Sequence, residues 1–201
     1  MVYKNRGVNM VESSNADSAE PIDIEDKLLY PVRPIKQEKM WDCGPTALRI
    51  ALRYQFGLKL TASEMIMVTG ATPAGSDEYN LMLGLDALGF KYKQSERGTL
   101  NKLKHFLMDG QVPIVHMVMS DGGGHYMVMC GYDMENVFLA DPSTNKVVKY
   151  GIPFFMGVWK VEEKETQTRW YMAITGHGGD KLDGILQRYK RLQKKVQKAR
   201  K

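Results

Sequence analysis

The sequence predicts an α+β domain spanning residues 31–175, and three features carry that expectation. Residues 43–109 hold segments with apolar positions at helical spacing, each followed by a glycine stop. From Val112 onward the chain changes to short runs rich in Val, Met and aromatic residues, separated by glycine and proline turns, as antiparallel strands are. Helices first and strands second is the order of an α+β layer fold rather than of alternating βαβ units.

Taken in order, residues 1–30 are polar and acidic without a sustained period, as in VESSNADSAEPIDIED, and read as a flexible lead. The short IDI and LLYPV patches in it can dock on the domain as an extra strand. Pro31 and Pro34 bias their predecessors toward extended backbone on the way into residues 37–48. A helix over 46–54 follows, with Pro45 in its first turn and Gly57 as its stop, then a brief extended piece at 59–61. Thr61 and Glu64 stand at capping-box spacing before a second helix through Met65, Ile66 and Val68. After the loop GATPAGSDEYN, a helix runs from Leu81 through Leu88 to Gly89, and residues 90–93 read as a strand. One more amphipathic helix covers 99–109. Strands are expected at 112–119, 125–132, 137–142, 146–150, 155–161 and 169–174.

At 201 residues and 43% hydrophobic content the chain suffices for one well-cored domain plus extensions. It has no apolar run of signal-peptide length and nowhere eighteen apolar residues in succession, so no membrane span is predicted and a cytoplasmic location is expected. Two cysteines, Cys43 and Cys130, are too few for a disulfide framework, and no CxxC or HExxH spacing suggests zinc, so neither metal nor cofactor is expected. The net charge of +5 and pI near 9.1 are local in origin. Residues 181–201 carry nine Lys/Arg against Asp183, which is +8 and leaves −3 for residues 1–180. Residues 176–201 therefore read as a Gly-rich linker and a basic tail, with small or apolar residues at 182, 185, 189, 192, 196 and 199 along one side of a helix. The plain reading is a solvated tail; the other is a tether to an anionic partner or nucleic acid.

Chemistry concentrates at Cys43, which lies between a loop and the opening of a helix. Unpaired backbone N–H groups and the positive end of the helix dipole favour thiolate there. From that segment alone a packed thiol and a nucleophile are both open. A cysteine nucleophile needs a base, a group to orient the base, and oxyanion donors. His125 starts a strand after the Gly122-Gly123-Gly124 loop, and Asp141, locked by Pro142, ends the next strand. Paired strands would set the carboxylate beside the imidazole. Gln37, six residues before Cys43, can curl back to offer its amide beside the Cys43 N–H.

Gln37, the run Asp-Cys-Gly-Pro-Thr-Ala-Leu at 42–48, His125-Tyr126 and Asp141-Pro142 together resemble the C39 family of papain-like cysteine peptidases, which process bacteriocins after double-glycine leaders. The resemblance covers roughly residues 35–160. It implies a papain-like fold with an N-terminal helical part packed on an antiparallel β-sheet, Cys43 as nucleophile, His125 as base, Asp141 as its orienter and Gln37 as oxyanion residue. Trp41, Asp42, Gly44, Gly124 and Tyr126 are expected along the substrate cleft. The implied substrate is a peptide or protein cut after Gly-Gly or similarly small residues. With no hydrophobic span and no GxxxxGKS/T phosphate loop, the expectation is a peptidase that stands without the transporter. A peptide-binding or acyl-transfer module of the same fold, tethered to a partner or anionic surface by its basic tail, is the alternative.

Other residues read more plainly. Cys130 is expected as a core thiol and His116 as a satisfied structural histidine, while His105 is expected at the surface of a Lys-rich helix and His177 in a loop after the domain. Asp42 reads equally as a helix cap. Gly178-Gly179 offers a double glycine for self-cleavage ahead of the tail.

Overall fold

The computed structural model describes residues 26–120, 122–163 and 166–177, with the single tail positions Gly184, Gln187, Arg191, Lys194 and Lys198. Those five are helical and the last four are exposed. The expected apolar stripe of the tail and the Gly178-Gly179 pair lie outside the described residues, as does most of the lead.

A seven-stranded antiparallel sheet carries four helices from the first half of the chain. The first half contributes β1 (Leu28–Leu29), α1 (Cys43–Phe56), α2 (Ala62–Thr69), α3 (Glu78–Leu88), β2 (Phe90–Ser95) and α4 (Leu100–Met108). The second half contributes β3 (Ile114–Val118), β4 (Gly124–Tyr132), β5 (Asn136–Asp141), β6 (Lys146–Gly151), α5 (Ile152–Val158), β7 (Val161–Glu163), β8 (Thr166–Thr168) and β9 (Tyr171–His177). Strand order is β2-β9-β3-β4-β5-β6, and β1 pairs with the end of β4 that runs on past its pairing with β3, Leu28 opposite Tyr132 and Leu29 opposite Gly131. The LLYPV patch thus docks as an extra strand. Gly131 permits the approach, because a Cβ there would lie 2.5 Å from the Leu28 carbonyl oxygen.

Local rules explain most element ends. Thr61 and Glu64 form the capping box at the start of α2, and Gly57, Gly70 and Gly89 take the left-handed conformation that closes α1, α2 and α3. Asp77 and Asn80 form a second capping box, so α3 begins three residues before the expected Leu81. Helix α1 buries Leu48, Ile50 and Leu52 completely against α2, α3 and β4. Each such side chain removed from water is worth about 1.5–3 kcal/mol. That packing fixes the helix over the middle of the sheet.

Residues 59–61 lie outside helix and strand, and the extended Thr61 is the N-cap of α2. One expectation is corrected. The strand expected at 155–161 is instead the helix α5, with Gly151 as N-cap and Pro153 in its first turn. Phe155 and Trp159, four residues apart, stack at 5.2 Å and are both buried, and the Trp159 indole N–H donates to the Trp170 carbonyl at 2.7 Å. The aromatic content that reads as strand is a helical contact pair. The short β7–β8 hairpin was not expected at all.

Candidate active site

Cys43 is the first residue of α1, and the helix lies on β4, so the sulfur is delivered to the strand that begins with Gly124 and His125. Antiparallel pairing of β4 with β5 sets Val128 opposite Ala140, which puts His125 and Asp141 diagonally across the pair on one face. Their side chains meet: His125 Nε2 stands 2.8 Å from Asp141 Oδ1. The same imidazole also hydrogen-bonds the Cys43 side chain.

Asp141 is held from three further sides. The Ser143 backbone N–H donates to Oδ1 at 2.7 Å, the Ser143 hydroxyl at 2.9 Å, and the Thr144 hydroxyl donates to Oδ2 at 2.8 Å. Ser143 and Thr144 were missed in the sequence, though Asp-Pro-Ser-Thr is a turn signature in which short polar side chains bond neighbouring groups. The turn also anchors the loop before Cys43. Gln37 N–H donates to the Pro142 carbonyl at 2.9 Å, and the Lys36 ammonium donates to the Ser143 carbonyl.

That loop is folded by Asp42. Its fully buried carboxylate accepts from the backbone N–H of Glu38 at 3.3 Å and of Lys39 at 3.2 Å, and makes no side-chain cap on α1. The capping reading of Asp42 is therefore replaced by a loop-folding one. The loop carries Gln37 to the wall of a cleft of about 700 Å³ that also takes in Lys36, Met40, Met119, Gly124 and His125. The Gln37 side-chain amide donates to the Lys39 carbonyl at 2.7 Å, and an amide nitrogen has a second hydrogen to give. Trp41 is half-buried and is absent from that wall, where Met40 stands instead. Gly44 and Tyr126 lie together beside Cys43: a Cβ on Gly44 would be 3.2 Å from the Tyr126 ring and 3.0 Å from Leu81.

The charges follow from these contacts. Burial pushes the Cys43 thiol up, but hydrogen bonds from His125 and from the Tyr126 and Gly44 backbone, with the charge of His125, bring it below its ordinary value. His125 is drawn down by burial and raised further by Asp141 and Cys43, to about 9. Burial raises the Asp141 carboxyl, and the donors from His125, Thr144 and Ser143 outweigh it, holding it well below the carboxylate range. Cys130 has backbone hydrogen bonds but no charged partner, and burial pushes it up to about 12. Both cysteines are free thiols. A thiolate beside an imidazolium, oriented by a carboxylate, is an arrangement able to attack a carbonyl carbon and to give a proton to a leaving amine.

The remaining histidines sit elsewhere. His116, on β3, hydrogen-bonds Glu78 at 2.6 Å; His105 is half-buried on α4; and His177 ends β9, its ring 6.4 Å from Phe56. Among the described residues no group of three or more His, Cys, Asp and Glu could hold a metal ion, and no helix is long and apolar enough to cross a membrane.

Residues 32–162 match the model of the peptidase C39 family. The chain belongs to that family. An uncharacterized protein of Methanothermobacter thermautotrophicus is 28% identical over 115 residues, which are 56% of this chain and 73% of that one. The peptidase domain of Streptococcus ComA, a bi-functional ABC transporter involved in quorum sensing, superposes with a TM-score of 0.60 at 18% identity, covering 72% of this chain and 99% of that one. A double glycine motif protease from an AMS/PCAT transporter, solved with its leader peptide, superposes with a TM-score of 0.55 at 18% identity, covering 74% and 99%. The papain-like C39 fold, helices on an antiparallel sheet, is thus the fold of this chain. The C39 family is one of peptidases, and its members act on peptides.

Proposed function

We propose that this C39 peptidase is a cysteine peptidase cleaving after Gly-Gly or similarly small residues, with Cys43 as nucleophile, His125 as general base and acid, Asp141 as its orienter and Gln37 as oxyanion donor. The observation that carries the reading is His125, whose imidazole meets both Asp141 and Cys43. The Cys43 thiolate adds to the scissile carbonyl carbon, forming a C–S bond while the carbonyl electrons pass to oxygen. The Gln37 amide and the Cys43 N–H, an unpaired donor of the first helical turn, receive that oxyanion. Collapse breaks the C–N bond as His125 gives its proton to the departing amine. Water then attacks the thioester, its proton returning to His125, and the C–S bond breaks to release the acid. Asp141 stays ionised throughout.

The Gly-Gly preference is supported by the double glycine motif protease among the structural neighbours. Fluorogenic peptides ending in Gly-Gly and in Leu-Leu, offered to the full chain and to Cys43→Ala, test the whole reading. Cleavage is expected of the Gly-Gly peptide by the unaltered chain alone. Equal cleavage by Cys43→Ala would falsify the nucleophile, and equal cleavage of both peptides would remove the small-residue preference.

A further inference from the structure

The strand that presents His125 is gripped on both sides of that residue by groups that take no part in the mechanism above. His116 on β3 pairs across the sheet with Tyr126 on β4, and their rings stack with centroids 4.4 Å apart and planes 15° off parallel. The Nε2 edge of the same imidazole fills the space where a Cβ on Gly124 would stand. His116 therefore bears on the residues immediately before and after His125. Its own orientation is set by Glu78, the first residue of α3, whose carboxylate lies 2.6 Å from Nδ1. Glu78 is placed in turn by the Asp77–Asn80 capping box. Tyr126 is also the residue whose backbone N–H reaches the Cys43 sulfur, and its ring packs behind Gly44.

We propose that His116 and Glu78 are positioning residues for the acyl-transfer reaction: the pair clamps β4 at Gly124 and Tyr126, and so keeps the His125 imidazole and the Tyr126 N–H aligned on the Cys43 sulfur. The inference rests on Cys43 being the nucleophile. It extends the His125–Asp141 pair to a second histidine–carboxylate pair, one that touches no reacting atom and links α3 to the catalytic strand. Removing the ring leaves a gap against Tyr126 and frees Gly124; neutralising Glu78 leaves the ring in place with no charge to fix its angle. Loss of alignment of this kind costs catalysis without costing the fold.

Three full-length variants test the clamp: Glu78→Gln, Glu78→Asp and His116→Ala. Glu78 is partly exposed and its amide is isosteric, so Glu78→Gln is expected to fold even where His116→Ala does not. The readouts are the rate of Cys43 alkylation by iodoacetamide from pH 5 to 9, kcat/KM on a Gly-Gly peptide, and thermal unfolding. With the clamp, Glu78→Gln slows Cys43 alkylation at pH 6 by about tenfold and moves its profile to higher pH. It also lowers kcat/KM about 10- to 100-fold through kcat, with Glu78→Asp restoring part of both. A purely structural pair would lower the unfolding temperature while leaving the profile of the folded enzyme unchanged; that result overturns the proposal. If the unaltered chain itself alkylates only as an ordinary thiol does, the nucleophile reading fails first and the clamp falls with it.

Discussion

Cys43 and Cys130 are the same residue type and both buried, yet their thiols are shifted in opposite directions. Cys43 opens α1, where backbone N–H groups are unspent, and meets the imidazole of His125. Cys130 sits in β4 at a bulge, where the register with β5 shifts between Met129 and Gly131, and its thiol turns to the Phe138 carbonyl at 3.4 Å. Burial raises both thiols. At Cys43 donors and a positive charge overcome it, whereas at Cys130 burial outweighs two backbone hydrogen bonds and no charged partner adds to them. What separates the two thiols is the set of donors and the charge brought to Cys43, since both are buried.

The contrast can be broken at several points. Replacing Cys43 by Ala is expected to abolish Gly-Gly peptide hydrolysis, a loss of about 10⁵-fold in kcat/KM measured by continuous fluorescence. Asp141→Asn, which leaves His125 without its charged partner, is expected to cost about 10³–10⁴-fold in kcat with the fold retained. Iodoacetamide at pH 6 sharpens the comparison directly: peptide mapping by mass spectrometry should find Cys43 modified at least about 100-fold faster than Cys130. In pH terms, hydrolysis needs thiolate and imidazolium together. It should persist well below the ordinary thiol range, because Cys43 is lowered, and decline as pH rises through about 9, where His125 loses its proton. The smallest effect belongs to Cys130→Ala, expected to cost about 1 kcal/mol in urea unfolding and to leave kcat/KM unchanged.

Much of the fold was legible because its signals are local. The capping box at Thr61 and Glu64 and the stops at Gly57 and Gly89 are settled within a few residues, and the structure places them as expected. Residues 152–158 were not legible: Phe155 and Trp159 carry strand-forming side chains, and only their contact with each other and with Trp170 selects the helix. At the site, the residue types and order were readable, and so was the pairing of the strands that carry His125 and Asp141. Ser143 and Thr144 around Asp141 and the inward turn of Asp42 are local contacts within four residues that turn chemistry encodes but that were not read, whereas the Glu78–His116 contact joins segments whose proximity no local pattern encodes.

The sequence by itself determined that a cysteine would stand at a helix start, that a histidine and an aspartate would stand on consecutive strands, and that the chain would divide into helices followed by sheet. Propensity, caps and turn chemistry suffice for these, because they act over one or two turns of chain. Tertiary structure alone decided that α1 lies across β4, that a diagonal register sets His125 against Asp141, and that Asp42 folds the Gln37 loop onto the Pro142 turn. Those outcomes depend on burial of α1 against the sheet and on satisfying buried carboxylates, energies that exist only once distant segments are packed together.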